Sequence, residues 1–305
     1  MSHAGSPPAG TADGDPASPV GNEIALLEFD PDTAAMIEPT SHFGSGRGGE
    51  PDGLPEVAVA CFFGDVVERI ASERHARLVG HLSAEHGQHA LWEIEHDGQL
   101  IAFFQPGLGA PLSVGFLEEV IAYGCRTIVA CGGAGALNDD LALGHVVVVS
   151  AALRDEGTSF HYLPPSRIVE ADPWVVERLE WWLEGQGVPH TSGMSWTTDA
   201  FYRETRSKVA RRRAEGCITV EMEASALIAV AAFRRVRFGQ LLYAGDSLAG
   251  EDWDHRGWVK AHDVREQLFW LAAGAAVDLT RAELGASTKG RVDAARPGLG
   301  AGRSV

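Results

Sequence analysis

A chain of 305 residues with 45 % hydrophobic residues and 36 glycines can fill one large globular domain. Its formal net charge of −17 argues against nucleic acid or an anionic membrane surface as partner, because both would repel it. Cys61, Cys125, Cys131 and Cys217 form no CxxC pair and have no histidine at metal spacing, so they read as small core residues in a reducing cytoplasm.

Residues 1–22, rich in Gly, Pro, Ala, Ser and Asp, read as a disordered tail with little to bury. No signal-peptide pattern shows there, and no apolar run approaches the ~18 residues of a membrane span, so a cytoplasmic protein is expected. Glu56 to Phe62 is an apolar strand and Asp65 to Glu73 a short helix. Leu91 to Ile94 and Gln99 to Gln105 flank the hairpin signal Asp97-Gly98. A helix over Pro111 to Tyr123 precedes buried strands at Thr127 to Ala130 and His145 to Val149. Trp174 to Glu184 reads as helix and His190 to Thr197 as strand. Arg203 and Arg206 open a basic helix with Arg211, Arg212 and Arg213. Cys217 to Val220 is strand, the Ala-rich stretch to Phe233 helix, Arg237 to Ala244 strand, and Trp258 to Leu284 a closing helix. Residues 285–305 repeat the composition of the first tail, with Lys289, Arg291, Arg296 and Arg303 added, and read as a second disordered tail. Residues 23–284 therefore predict a single three-layer α/β domain, with a central mixed, largely parallel sheet flanked by helices.

In such folds ligands bind beyond the carboxyl ends of the strands, and six strand exits there carry glycines or polar groups. Glu221-Met222-Glu223 puts two carboxylates at the end of a core strand, where acidic groups are rare without a partner. A sugar's vicinal hydroxyls would supply one; a place for Glu223 in a first helical turn, favoured by the dipole, is the alternative. Cys131-Gly132-Gly133-Ala134-Gly135 is either a tight turn or a backbone cradle for an anion or sugar. Asp246 caps a turn or serves a site, and Phe201 is core or a ligand stack. Phe63-Gly64-Asp65 and Arg154-Asp155-Glu156-Gly157-Thr158-Ser159 lie at further exits. Asp252, Asp254 and His255 look like metal ligands but fit a polar loop better.

Together these segments resemble the nucleoside phosphorylase family, which holds purine nucleoside and uridine phosphorylases and related nucleosidases, from about Pro55 to Leu284. The likeness is carried by Val220-Glu221-Met222-Glu223-Ala224, Gly107-Leu108-Gly109, Gly132-Gly133-Ala134-Gly135-Ala136-Leu137 and Leu143-Gly144-His145-Val146-Val147-Val148. Arg154-Asp155-Glu156-Gly157-Thr158-Ser159 with His161-Tyr162 is similar to the uridine phosphorylase branch.

The resemblance implies cleavage of a nucleoside's N-glycosidic bond by phosphate, giving free base and ribose 1-phosphate, with phosphate as co-substrate and no metal or organic cofactor. It implies that Glu223 grips the ribose 2′- and 3′-hydroxyls, Met222 packs on the sugar and Glu221 lines the site. Phe201 would stack on the base, Asp246 would protonate or bond its N7, and Gly64, Gly132 and Gly133 would give backbone donors to phosphate. It also implies a homo-oligomer, trimer or hexamer, with residues such as His42 or Arg47 lent across an interface. The pattern departs at the phosphate. An arginine is usual after the first Gly-Asp and another before the Gly-rich turn, yet this chain reads Gly64-Asp65-Val66-Val67-Glu68-Arg69 and Ala130, and Gly133-Ala134 replaces a Ser or Thr. Arg69, Arg154 or a neighbouring subunit's arginine would have to compensate. The uracil-binding Gln and Arg lack equivalents, since Thr205-Arg206 is out of step. A nucleosidase, with Asp65 or Glu68 activating water, and a non-catalytic nucleoside binder are the alternatives.

Overall fold

Strand β1 (Val57–Cys61) shows why the domain has three layers. Its side chains alternate, Ala58 and Ala60 entering one hydrophobic cluster and Val57, Val59 and Cys61 another. A strand buried on both faces needs helices on both. The computed structural model describes residues 24–40, 53–85 and 87–294, with side chains described as far as 283. In it α1 (Gly64–Glu73) lies on the Val57 face, and α2 (Ala110–Ala122) lies on the Ala58 face.

Between these helices come β2 (Arg77–Ala84), β3 (Gly87–His96) and β4 (Gln99–Phe104). After α2 follow β5 (Thr127–Ala136), β6 (Val146–Asp155), β7 (Ile168–Glu170), α3 (Pro173–Gly185) and β8 (His190–Thr198). The chain continues through α4 (Arg206–Ala214), β9 (Cys217–Glu221), α5 (Ala224–Arg234), β10 (Arg237–Ser247) and α6 (His262–Ala294). Helix α5 joins α2 on one face; α3 and α6 join α1 on the other. The layers interlock through large side chains such as Phe103 and Phe269, packed edge-on with centroids 5.5 Å apart. Truncating either to Ala would cost about 3–5 kcal/mol.

The sheet runs β10-β6-β8-β9-β5-β1-β4-β3-β2, and β10 also pairs with β5. Strands β5, β10, β6, β8 and β9 thus close on themselves, while β1 to β4 extend as an open wing. The sheet is mixed and largely parallel, as the residue pattern implies, with β4-β1-β5-β10 parallel throughout.

Several boundaries differ from expectation. β5 runs to Ala136 and β10 to Ser247, so Gly132-Gly133 and Asp246 lie within strands instead of turns, each strand supplying the other's ladder. β2 escaped notice because Gly80, beside a register shift, interrupts its alternation. β7 is too short to signal itself. Trp258–Lys260 forms a separate 3-10 turn before α6. Helix α6 continues to Ala294, past the expected end at Leu284, because adding residues to a formed helix costs far less than nucleating one. The first expected tail, and His42 and Arg47, lie outside the described residues. The four cysteines are free and buried, and among the described residues no helix is long and apolar enough to cross a membrane.

Candidate active site

The two carboxylates of Glu221-Met222-Glu223 have different partners. Glu221 ends β9 and is buried. Its Oε1 accepts hydrogen bonds from Ser195 Oγ at 3.2 Å and Thr197 Oγ1 at 2.7 Å. Its Oε2 accepts from the backbone N–H groups of Glu223 at 2.7 Å and Ala224 at 2.6 Å. Glu221 therefore caps the start of α5, satisfying donors that a helix N-terminus leaves open. Burial raises its carboxyl, while these bonds favour the anion.

Glu223 is also buried, but its carboxylate turns away from its own helix. Oε1 accepts a 2.6 Å hydrogen bond from the N–H of Gly109, the N-cap residue of α2, at φ 85°. Burial first, then the charge of Glu221, pushes Glu223 up to about 8. Glu223 is the N-cap residue of α5, just outside the first turn expected for it, and its carboxylate meets the N-terminus of α2 instead, 114 residues away in sequence. Met222 between the two is half-buried.

Around this pair the strand exits meet where the sheet closes, not along an open edge. Gly135 is the register partner of Val220, and a Cβ on Gly135 would stand 2.9 Å from Val220 Cγ1 and 3.6 Å from Asp246 Oδ1. Asp246 is thus beside the β9 exit. Its Oδ2 accepts from Trp253 Nε1 at 2.6 Å. Glu204 is close enough to Asp246 that this charge, after burial, pushes its carboxyl up to about 7. Phe201 lies in a 3-10 turn (Phe201–Arg203), 45 % exposed, its ring 4.1 Å from that of Tyr202. It is not a core residue. Ser225 ties the exit of β6 to α5 by donating to Glu156 Oε1 at 2.9 Å.

The third group gathers on the β1 side. A Cβ on Gly64 would lie 3.1 Å from the side-chain nitrogen of Gln105, at the end of β4. One on Gly132 would lie 3.1 Å from Phe62, and one on Gly133 3.2 Å from the Tyr243 ring. These glycines make room for side chains as well as exposing backbone, and Gly133 is exposed. Ala130 is fully buried. Arg69 is paired with Glu266 at 2.6 Å. Arg154 donates to Ser159 Oγ, Pro164 O, Ser166 Oγ and Leu163 O, so it braces its own loop. Asp252 pairs with Arg206, Asp254 bridges to Ser247 through its backbone, and His255 Nδ1 accepts from Gly257 N.

The Phosphorylase superfamily model matches residues 56–270. The chain belongs to that superfamily. Among its relatives, the guanosine phosphorylase of Halorubrum lacusprofundi is 27 % identical over 236 residues, covering 76 % of this chain and 91 % of that protein. The uridine phosphorylase of Escherichia coli is 26 % identical over 193 residues, 58 % of this chain and 74 % of the relative. The structure of uridine phosphorylase from Vibrio fischeri shares the fold at a TM-score of 0.64 and 24 % identity, over 75 % of this chain and 92 % of that one.

Sequence reasoning missed the supports of this candidate site. Ser195 and Thr197 sit two apart on β8, on one face, and β8–β9 pairing makes them the natural donors for Glu221. Period-two alternation could have exposed them. Glu204 and Gln105 carried no local signal, and the motif glycine Gly109 gave no hint of its bond to Glu223, because these roles come from elements distant in sequence.

Proposed function

We propose that this chain is a nucleoside phosphorylase that takes a purine nucleoside and phosphate to free base and ribose 1-phosphate. The observation that carries the reading is the buried Glu221–Glu223 pair. Glu221 is saturated by four donors, two of them side-chain hydroxyls, while Glu223 meets only backbone N–H groups, those of Gly109 and Met222, and keeps acceptor capacity for a sugar's hydroxyls. Two hydroxyls donating to Glu223 favour its anion, and that anion steadies the positive charge that grows on the sugar. The grip also fixes the ribose while its anomeric carbon moves towards the nucleophile.

The bond from the anomeric carbon to the base nitrogen breaks, and a phosphate oxygen bonds to that carbon. Negative charge leaves with the base, and Asp246 serves as hydrogen-bond partner or proton donor at N7. The purine preference rests on Asp246: a purine presents N7 for it to bond or protonate, and uracil has no such ring nitrogen, while Glu204 beside it can accept from a base N–H. The relative that is a guanosine phosphorylase supports the same choice. Phe201 is placed to cover the base.

Hydrolysis is the second reading, favoured by one observation: at the exit of β1 stands Asp65, bonded to His262 Nδ1 at 3.2 Å, a pair suited to activating water. A nucleoside panel incubated with and without phosphate decides. Base release that needs phosphate supports the phosphorylase; release indifferent to phosphate assigns hydrolysis. Binding without release leaves a nucleoside-binding protein.

A further inference from the structure

We propose that Arg265, in the first turn of α6, supplies the cation that holds inorganic phosphate at the Gly64–Gly133 end of the site. The proposal deepens the phosphorylase reading and rests on it for the identity of the anion. The need for a cation is plain from the residues in place. Backbone N–H groups alone bind phosphate weakly beside charge-assisted donors, Ala130 has no side chain that reaches out, Arg69 faces Glu266 in an ion pair, and Arg154 is bonded within its own loop.

Arg265 packs on side chains that border both glycine segments. Its guanidinium lies 5.0 Å over the ring of Phe63, the residue before Gly64. Its Nε is 3.5 Å from the hydroxyl of Tyr243, which is the register partner of Gly133 and whose ring a Gly133 Cβ would approach to 3.2 Å. On its other side Trp258 stands with its ring centroid 5.4 Å from the guanidinium. Aromatic faces on two sides fix the direction of the group without consuming its N–H donors.

The hydrogen bonds it does make are long. Nη1 is 3.5 Å from Asp65 Oδ1, the outer limit for such a bond, and the Tyr243 contact is equally stretched. The charge is therefore held close to the exit of β1 and to Tyr243, the partner of Gly133 within β5, while most of its donor capacity is unspent. Its side chain is only 14 % exposed, so less solvent screens its attraction for an anion than at the surface. Asp65 opposes the anion, and His262, 3.2 Å from Asp65 Oδ2, offers that carboxylate an alternative partner once Arg265 turns to phosphate. The distance in sequence explains why no motif announces this residue: Arg265 lies 200 positions beyond Asp65.

The test is direct binding of inorganic phosphate to the full-length chain by calorimetry, alongside nucleoside binding. Arg265→Gln is expected to weaken phosphate by roughly 10- to 100-fold and to leave the nucleoside Kd within about twofold. Arg265→Lys, which keeps the charge and is the safeguard should the Gln variant fold poorly, is expected to recover part of the loss. Asp65→Asn is expected to tighten phosphate several-fold. Equal phosphate affinity in wild type and Arg265→Gln overturns the assignment while leaving the phosphorylase reading intact. Absence of phosphate binding to wild type overturns both. Phosphate binding that depends on Arg265, with base release indifferent to phosphate, upholds the anion site and overturns the phosphorylase reading.

Discussion

The proposed sugar end and the proposed phosphate end of this site are built on opposite plans. At the sugar end, buried carboxylates are held by short bonds of 2.6–2.7 Å from backbone and hydroxyl donors. At the proposed phosphate end, glycines give the backbone room and the cation, Arg265 of a helix at the far end of the chain, is held only by contacts stretched to 3.5 Å with Tyr243 and Asp65. A buried carboxylate must have its donors in place before any ligand arrives, because an unpaired buried charge is expensive. An arginine in a partly open cleft can wait, held by aromatic faces. The difference predicts that perturbing the first region damages both catalysis and folding, and that perturbing the second damages catalysis alone.

Glu223→Ala should break the comparison most severely, lowering kcat/KM for any nucleoside by on the order of 10²- to 10⁴-fold through lost charged hydrogen bonds. Steady-state kinetics measure it, and retained turnover would remove Glu223 from the sugar grip. Asp246→Asn should lower guanosine turnover by roughly 10²-fold or more and uridine turnover far less. Equal losses on the two substrates would strip Asp246 of its place at N7. Thr197→Val removes one donor to buried Glu221 and should cost about 1–3 kcal/mol of stability in a denaturant titration; an unchanged midpoint would mean that Glu221 does not depend on it.

The smallest effect lies in the pH profile. With Glu223 raised to about 8, the folded protein keeps a proton that the unfolded chain gives up near the ordinary 4.5. Stability contributed by this group is full below that lower value and is lost as pH rises through about 8. Melting temperatures of the ligand-free protein should therefore fall between about pH 5 and pH 8, and Glu223→Gln should flatten that decline. A slope unaltered by the substitution would place the titration elsewhere.

How much could be read in advance follows the same division. Glu221-Met222-Glu223 stood out because two acids at the end of an apolar strand conflict with the core around them, and such conflicts mark sites. The alternation of strands and helices exposed the layers, since each period reports directly which faces are buried. Illegible features depended on pairing between remote elements. The run Gly132-Gly133-Ala134-Gly135 looks like a turn in isolation, yet pairing with β10 draws it into β5. Gly109 was visible only as a motif glycine, and nothing local shows that its N–H meets Glu223. Arg265 falls in an ordinary helical turn, so only the packing of α6 against Phe63 and Tyr243 gives it meaning.

The closure of β10 onto β5 has a further consequence, for exchange of backbone hydrogens with solvent. Strand β9 is only five residues long, yet it is laddered on one side to β8 and on the other to β5 within the ring. Its amides cannot fray from an edge and should open only when the ring itself unfolds. β2, at the end of the open wing, can peel away and exchange through local opening. The backbone under the sugar grip should thus be among the slowest to take up deuterium, although it belongs to one of the shortest strands in the molecule.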